Sequence, residues 1–382
     1  MMEIYFDNSA TTRVSEAAAQ KMIQAAREIW GNPSSLHRMG KTAETVMNEA
    51  RASVLNALGV PTLSALENRR SLIFTASGTE ANNLAILGCA YAKPRNRSRR
   101  LIVSDSEHPS VLECALKLER EGYDVYRLST KGGVLHPDDI AHALEREPFL
   151  VSCMTVNNET GARYDIETLF AMAKAVYPRV ITHTDAVQAF LHVPLHAADM
   201  ITVSAHKIHG PKGVGALYVS PSVRKAKALS PVIFGGGQED GLRSGTENVP
   251  SIAGFGEAAR CRPDHTAQAN VRQSILDRLP VEVRANLPAG SFAPHILSLT
   301  MPGIRSETML HFLEDRGIYV SSGSACSSNT GHGSYVLRAF GLPDAEADAT
   351  IRLSFDEAVT LQQADAFLAA LQEGLATLVR AI

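Results

Sequence analysis

The stretch Leu72-Ile73-Phe74-Thr75-Ala76-Ser77-Gly78-Thr79-Glu80-Ala81-Asn82-Asn83-Leu84-Ala85 changes character in its middle. Leu72–Thr75 is a short apolar run of strand type; beyond Ser77-Gly78-Thr79 a helix-length segment, Ala81–Ala92, takes over. The alternation recurs downstream. Candidate strands are Leu72–Thr75, Leu101–Ser104, Val125–Leu128, Leu150–Thr155, Val180–Thr184, Ile201–Ser204 and Ala216–Val219, with helical segments such as Ser110–Glu121 between most of them. Strands alternating with helices predict an α/β protein built on a doubly wound, mostly parallel sheet of seven strands. The interval from Ser204 to Ala216 is too short and too rich in Gly, Pro and Lys for a crossover helix, so the last strand is expected to be antiparallel. After about residue 255 the pattern changes. Arg262-Pro263-Asp264 reads as a break, strands His295–Thr300 and Ile351–Phe355 flank a helix near Glu307–Arg316, and Thr360-x-x-Gln363 opens a closing helix as a capping box. Phe367, Leu368, Leu371, Leu375 and Leu378 share one face of that helix, which predicts a second, smaller α+β domain.

The 382 residues are 45% hydrophobic and 20% charged, too apolar for a disordered chain. Thirty-seven Lys and Arg stand against 40 Asp and Glu, a net charge of −3 that gives no whole-chain reason to bind nucleic acid or an anionic membrane. No apolar run reaches about 18 residues, the length a spanning helix needs. The start, Met1-Met2-Glu3-Ile4-Tyr5-Phe6-Asp7-Asn8, carries acids where a signal peptide needs a basic stretch, so a cytoplasmic protein is expected. Cys89, Cys114, Cys153, Cys261 and Cys326 are scattered and odd in number, which disfavours a disulfide framework or a paired zinc motif. The run from Lys93 to Arg100 reads as a solvated loop entering a strand.

Ligands of open α/β sheets sit at the carboxyl ends of the strands. Ser77-Gly78-Thr79, opening a helix, offers backbone N–H groups and hydroxyls as a phosphate seat, although it is neither a GxxxxGK[ST] loop nor a GxGxxG fingerprint. His108 follows the second strand, and Asn157-Asn158-Glu159-Thr160-Gly161 follows the fourth. Asp185 closes the fifth, where a buried carboxylate is costly unless it meets a cation. Ser204-Ala205-His206-Lys207-Ile208-His209 follows the sixth. Two chemistries compete for this set. His183-x-Asp185 and His206-x-x-His209 have the residue types of a metal site, but that leaves Lys207 and the phosphate seat without a role. Pyridoxal phosphate uses a lysine, an acid for the ring nitrogen, a phosphate seat and a group over the ring, and all four are present.

The chain resembles the cysteine desulfurases of the iron–sulfur and nitrogenase-maturation type, fold-type I pyridoxal phosphate enzymes related to class V aminotransferases. The resemblance rests on Tyr5-Phe6-Asp7-Asn8-Ser9-Ala10-Thr11-Thr12, Asn32-Pro33-Ser34-Ser35-x-His37, Phe74 to Asn83, Glu107-His108, Asn157 to Gly161, Asp185-Ala186-x-Gln188, Ser204 to Gly213, Gly235 to Thr246, Ser321-Ser322-Gly323-Ser324-Ala325-Cys326 and Ile351-Arg352-x-Ser354. It departs from the usual pattern at Ser77, Ala205 and Gln238-Glu239-Asp240, none of which removes a named role.

The resemblance implies a large cofactor-binding domain over 14–255, and a small domain made of 1–13 and 256–382 that carries the Cys326 loop. It implies that Lys207 holds the cofactor covalently, Asp185 pairs with the ring nitrogen, and His108 stacks on the ring and moves protons. Gly78, Thr79, Ser204 and His206 would hold the phosphate, with Thr246 reaching in from the other subunit of a homodimer. Gln188 and Asn158 would contact the ring oxygen or substrate, and Arg352 would clamp the substrate carboxylate. Cys326 would take the sulfur of L-cysteine as a persulfide, releasing L-alanine, and could transiently contact an iron–sulfur cluster; no resident metal is expected. An iron–sulfur scaffold or a thiolation relay protein would receive the sulfur. The Ser/Gly-rich surroundings of Cys326 predict a mobile loop over roughly 322–332, whereas the other four cysteines are expected to be buried. A fold-type I aminotransferase or a lyase for selenocysteine would share Lys207 and Asp185 without needing Cys326, and a non-catalytic scaffold would need neither.

Overall fold

The computed structural model describes residues 3–61, 64–92, 98–322 and 333–379. Its strands in chain order are β1 (Ile4–Tyr5), β2 (Leu72–Thr75), β3 (Arg100–Ser104), β4 (Asp124–Leu128), β5 (Pro148–Ser152), β6 (Ile181–Asp185), β7 (Met200–Ser204), β8 (Gly215–Val219), β9 (Arg284–Ala285), β10 (Ile296–Thr300), β11 (Ile318–Tyr319), β12 (Ser321–Ser322) and β13 (Thr350–Ser354). Seven of them make the main sheet, in the order β2-β8-β7-β6-β5-β3-β4. The pairs from β4 across to β7 are parallel. β8 runs antiparallel to both β7 and β2, as the short Ser204–Ala216 interval predicts.

Period-two alternation divides the strand residues between the two faces of the sheet. Leu72 and Phe74, Ile201 and Val203, and Ala216 and Tyr218 pack with the helices Arg38–Ala57 and Val249–Ala258 on one side. Ile73, Met200, Leu217 and Val219 pack with the helices Gly78–Tyr91 and Pro109–Arg120 on the other. Both faces are covered, which is why these strands read as continuous apolar runs. The helix Pro109–Arg120 has a polar outer face, but Gly78–Tyr91 is apolar almost all round and is buried to match.

The fourth expected strand, Leu150–Thr155, is displaced: β5 ends at Ser152. Beyond it the Cys153 and Thr155 N–H groups still donate to the His183 and Asp185 carbonyls of β6, and Asn157 Oδ1 then closes a turn by accepting from the Glu159 and Thr160 N–H groups and from Thr160 Oγ1. The basic run also needs a correction. Lys93 to Arg97 lie outside the described residues, but Arg100 is the first residue of β3 and is buried, its Nη1 donating to Asp124 Oδ2 at 2.8 Å.

A second, antiparallel sheet has the order β12-β13-β10-β9, and β1 pairs in parallel with β11. The core beneath draws on both ends of the chain: Phe6 meets Phe355 and Phe367 edge-on, with ring centroids 5.1 and 6.1 Å apart. The closing helix, Leu361–Thr377, starts with the Thr360–Gln363 capping box and buries Phe367 and Leu371.

One buried ion pair ties the edge of the main sheet to its helices. Arg51 is 1% exposed; its Nη1 and Nη2 donate to Glu239 Oε2 and Oε1 at 2.9 and 2.7 Å. Glu239 Oε2 also accepts from the Phe74 N–H of β2 at 2.8 Å, and Arg51 donates to the Leu72 carbonyl. Glu239 reaches this position with a φ of +48°, a strained conformation for a residue with a Cβ. Removing one partner strands a buried charge, so Glu239→Ala is expected to cost about 3–5 kcal/mol, read as a drop in the urea unfolding midpoint. The double variant Arg51→Met/Glu239→Leu should lose less than either single change.

Candidate active site

The carboxyl ends of β2, β3, β5, β6 and β7 open into a cleft of about 430 Å³ that Arg352 and the β12 serines close from the second sheet. At its floor the helix Gly78–Tyr91 begins. Ser77 is its N-cap, Oγ accepting from the Glu80 N–H at 3.1 Å, which leaves other first-turn N–H groups free for an anion. A Cβ on Gly78 would stand 2.9 Å from Val187 Cγ2 and 3.5 Å from Ser204 Cβ. Only a glycine lets these three segments meet. Ser204 Oγ is buried with no hydrogen-bond partner, and Thr79 and His206 line the same end. Burial, helped by the charges of Lys207 and Lys212, lowers the His206 pKa to about 4, so its ring is neutral.

Asp185, the last residue of β6, lies deeper. Its Oδ2 accepts from Asn82 Nδ2 at 2.7 Å and its Oδ1 from the Val187 N–H at 2.9 Å, two neutral donors that orient the carboxylate. His108 caps the helix Pro109–Arg120. Its Nδ1 accepts from the Ser110 N–H at 3.1 Å and lies 2.8 Å from Ser110 Oγ, whose oxygen also accepts from Asn82. Burial lowers the His108 pKa, Asp185 opposes that and Lys207 reinforces it. A neutral ring whose Nδ1 accepts carries its proton on Nε2.

Lys207 ends the short turn after β7, and its Nζ donates to the Ser9 and Ala10 carbonyls at 2.5 and 2.7 Å. Gln188 Nε2 donates to the same Ser9 oxygen at 2.9 Å. Arg352, on β13, donates from Nη1 to the Asn158 carbonyl at 2.9 Å and from Nη2 to Asp7 Oδ1 at 2.7 Å. Its Nε and the Asn158 Oδ1 are buried without partners. Orphaned groups this deep are costly unless a ligand satisfies them.

The fold thus brings together Gly78, Thr79, His108, Asn158, Asp185, Gln188, Ser204, His206, Lys207 and Arg352 in one cleft. Thr246 is not among them: it is exposed, as is Phe234 upstream at 80%. Cys326 and its loop, 323–332, lie outside the described residues. Sequence reasoning gave no individual role to Asn82, Asp7 or Glu159, which line the cleft too. Asn82 carried a usable signal, a polar residue inside an otherwise apolar helix.

The metal reading fails on contacts. His183 lies between Ser152 Oγ and Thr202 Oγ1, at 2.8 and 3.0 Å, and His209 bonds to Glu357 and the Arg13 carbonyl. His192, His265 and Glu357 do approach one another, but both ring nitrogens of His265 are engaged, with Gln268 Oε1 and the Leu191 carbonyl. Cys89, Cys114 and Cys153 are buried as expected; Cys261 is exposed instead, because the helix Val249–Ala258 stops short of it.

A model of the aminotransferase class-V family matches residues 4–367. A NifS/IcsS protein homolog of Lactobacillus delbrueckii subsp. bulgaricus is 41% identical over 97% of this chain and 96% of its own length. A cysteine desulfurase of Trichormus azollae is 38% identical over 98% of this chain and 93% of its own. Among solved structures, a NifS-like protein superposes with a TM-score of 0.89 at 34% identity, covering 99% of this chain and all of the other.

Beneath the cleft, Glu107 is fully buried. Its Oε1 accepts from Ser104 Oγ at 2.6 Å and from the Met154 N–H at 2.7 Å, while Oε2 has no partner. Burial, reinforced by Asp185 and Asp105, raises its pKa from 4.5 to about 8. The folded state therefore holds this proton more tightly than the unfolded chain, and the stability it contributes below its ordinary pKa is lost as pH rises to about 8. Glu107→Gln keeps the acceptor and does not titrate. Urea unfolding midpoints should move in favour of the variant between pH 5 and 8 and run parallel above that range.

Proposed function

The chain belongs to the aminotransferase class-V family and, within it, to the cysteine desulfurases, and from that premise we propose that the cleft binds pyridoxal phosphate and L-cysteine, moves the substrate sulfur to Cys326 as a persulfide and releases L-alanine. The observation that carries the assignment is the order of groups along one cleft: a helix N-terminus with the orphaned Ser204 hydroxyl, a buried carboxylate at Asp185, and an amine at Lys207. That set fits a ligand with a phosphate at one end, a ring nitrogen able to carry a proton, and an aldehyde.

In this reading Gly78, Thr79, Ser204 and His206 hold the phosphate. Asp185, oriented by Asn82 and Val187, keeps a proton on the ring nitrogen. Lys207 anchors the group covalently. When bound, the cofactor supplies the sink for the electron pair left on the substrate carbon. His108, neutral and protonated on Nε2, would contact the ring and move protons at the substrate. Arg352, steadied by Asp7 and the Asn158 carbonyl, keeps its Nε for the substrate carboxylate. Gln188 and Asn158 contact the ring oxygen or the substrate. The Cys326 thiolate forms a bond to the substrate sulfur as the carbon–sulfur bond breaks. Cysteine plus thiol becomes alanine plus persulfide, with no outside oxidant.

We further infer a homodimer in which Thr246 meets the phosphate bound by the partner. The exposure of Thr246 and of Phe234 supports it. The division into a large domain over 14–255 and a small one made of 1–13 and 256–382 belongs to the same reading. Sulfur then passes to an iron–sulfur scaffold or a thiolation relay protein. Among the described residues no helix is long and apolar enough to cross a membrane, and the same reading places the protein in the cytoplasm.

The deciding experiment is Cys326→Ser. The variant should bind cofactor and show the absorbance change that cysteine addition causes, then stall, because a hydroxyl is no useful nucleophile toward sulfur. In the unmutated protein, mass spectrometry should find one added sulfur on the Cys326 peptide. Full turnover by the variant, or persulfide on Cys89, Cys114, Cys153 or Cys261, would refute the assignment. Arg352→Ala should raise the cysteine KM by about ten- to hundredfold, the loss of a charge-assisted contact of roughly 1.5–3 kcal/mol.

A further inference from the structure

The chain on either side of residues 323–332 is held to the cleft wall. Upstream, Ser321 and Ser322 pair as β12 with Arg352 and Ile351 of β13. Downstream, Ser334 Oγ donates to Glu159 Oε2 at 2.5 Å, and the Tyr335 hydroxyl donates to the Glu107 carbonyl at 2.5 Å. Gly333 has no room for a Cβ beside Asp348. The Ser334 hydroxyl is fixed from two sides: its oxygen accepts from the Leu337 N–H as the N-cap of the helix Tyr335–Phe340, which leaves its hydrogen for Glu159.

Glu159 is the unusual partner. It is 7% exposed, lines the cleft, and follows Asn158, whose carbonyl steadies Arg352. Burial raises its pKa to about 7, with the Ser334 bond and Arg352 pulling it back. A carboxyl group this deep costs stability, and the cleft reading above gives it nothing to do. Among the described residues, its side chain is hydrogen-bonded to the first stretch of chain after residues 323–332.

We propose that Glu159 is a positioning residue for sulfur transfer: through Ser334 it fixes to the cleft wall the chain that follows residues 323–332. This rests on Cys326 as the sulfur acceptor. Glu159 acts through the acceptor oxygen it offers Ser334, not by exchanging a proton with substrate. Losing it loosens the geometry of attack while the cofactor and Arg352 keep their places.

The test uses the cofactor-loaded enzyme and separates cysteine binding from the single-turnover rate of persulfide formation on Cys326. Glu159→Ala should slow persulfide formation by about ten- to hundredfold, the range that losing a hydrogen bond to a charged group spans. The cysteine KM and the absorbance change on adding cysteine should stay as they are. Glu159→Gln keeps an acceptor for Ser334 and should restore the rate. Ser334→Gly removes the hydroxyl that donates to Glu159 at little cost to the helix cap, and should be slow even if Glu159→Ala does not fold. A normal persulfide rate in Glu159→Ala, a raised KM with that rate intact, or Glu159→Gln as slow as Glu159→Ala would each overturn the proposal. An unmutated enzyme that forms no persulfide on Cys326 would overturn the underlying reading as well.

Discussion

The guanidinium of Arg352 is the joint on which the arrangement depends. It projects from β13 in the second sheet, donates to the Asn158 carbonyl beyond β5 of the main sheet, and donates to Asp7 near the start of the chain. Three segments distant in sequence are thereby fixed to one planar group whose donors have set directions. The cleft exists because the two sheets meet there. Ser9 and Ala10, which accept from Lys207, follow directly on Asp7, so the cation of one sheet and the amine of the other are registered through the same short N-terminal strip.

Burial sets the charge pattern around that joint. His108 and His206 are pushed toward their neutral forms, and the carboxyl groups of Glu107 and Glu159 are pushed toward holding protons. Each responds to the same cause, the cost of a charge away from water. Asn82 and the Val187 N–H both donate to Asp185 and fix the direction of its carboxyl group. A cleft with neutral histidines, one oriented carboxylate and two held cations discriminates by where a ligand's charges fall.

Much of this was legible beforehand where one strand carries both the fold signal and the chemistry. Asp185 ends β6, while Gly78 and Lys207 follow β2 and β7 by three residues each, so finding the strands also located the residues. The antiparallel β8 followed from a connection too short to cross over. Reading failed where side chains overrode local pattern. Asn157, after β5, closes a turn with its own amide oxygen. Arg100 belongs to a basic run in sequence, yet Asp124 of the neighbouring strand draws it into the sheet. Cys261 stands between Arg260 and Arg262, past the end of the helix Val249–Ala258, and is exposed.

By itself the sequence determined the class of fold, the strand ends and the residue types at them, because period and turn chemistry are local properties of the chain. Tertiary structure alone decided which of those residues share a cleft and in what state. The partnership of Arg352 with Asp7 spans almost the whole chain, and no spacing rule encodes a contact made by two sheets packing together. Nor does local sequence reveal that Glu107 and Glu159 are buried or that His183 is enclosed by two hydroxyls. Solvation and hydrogen bonding set the protonation of such groups, and both come into being only when distant segments close over them.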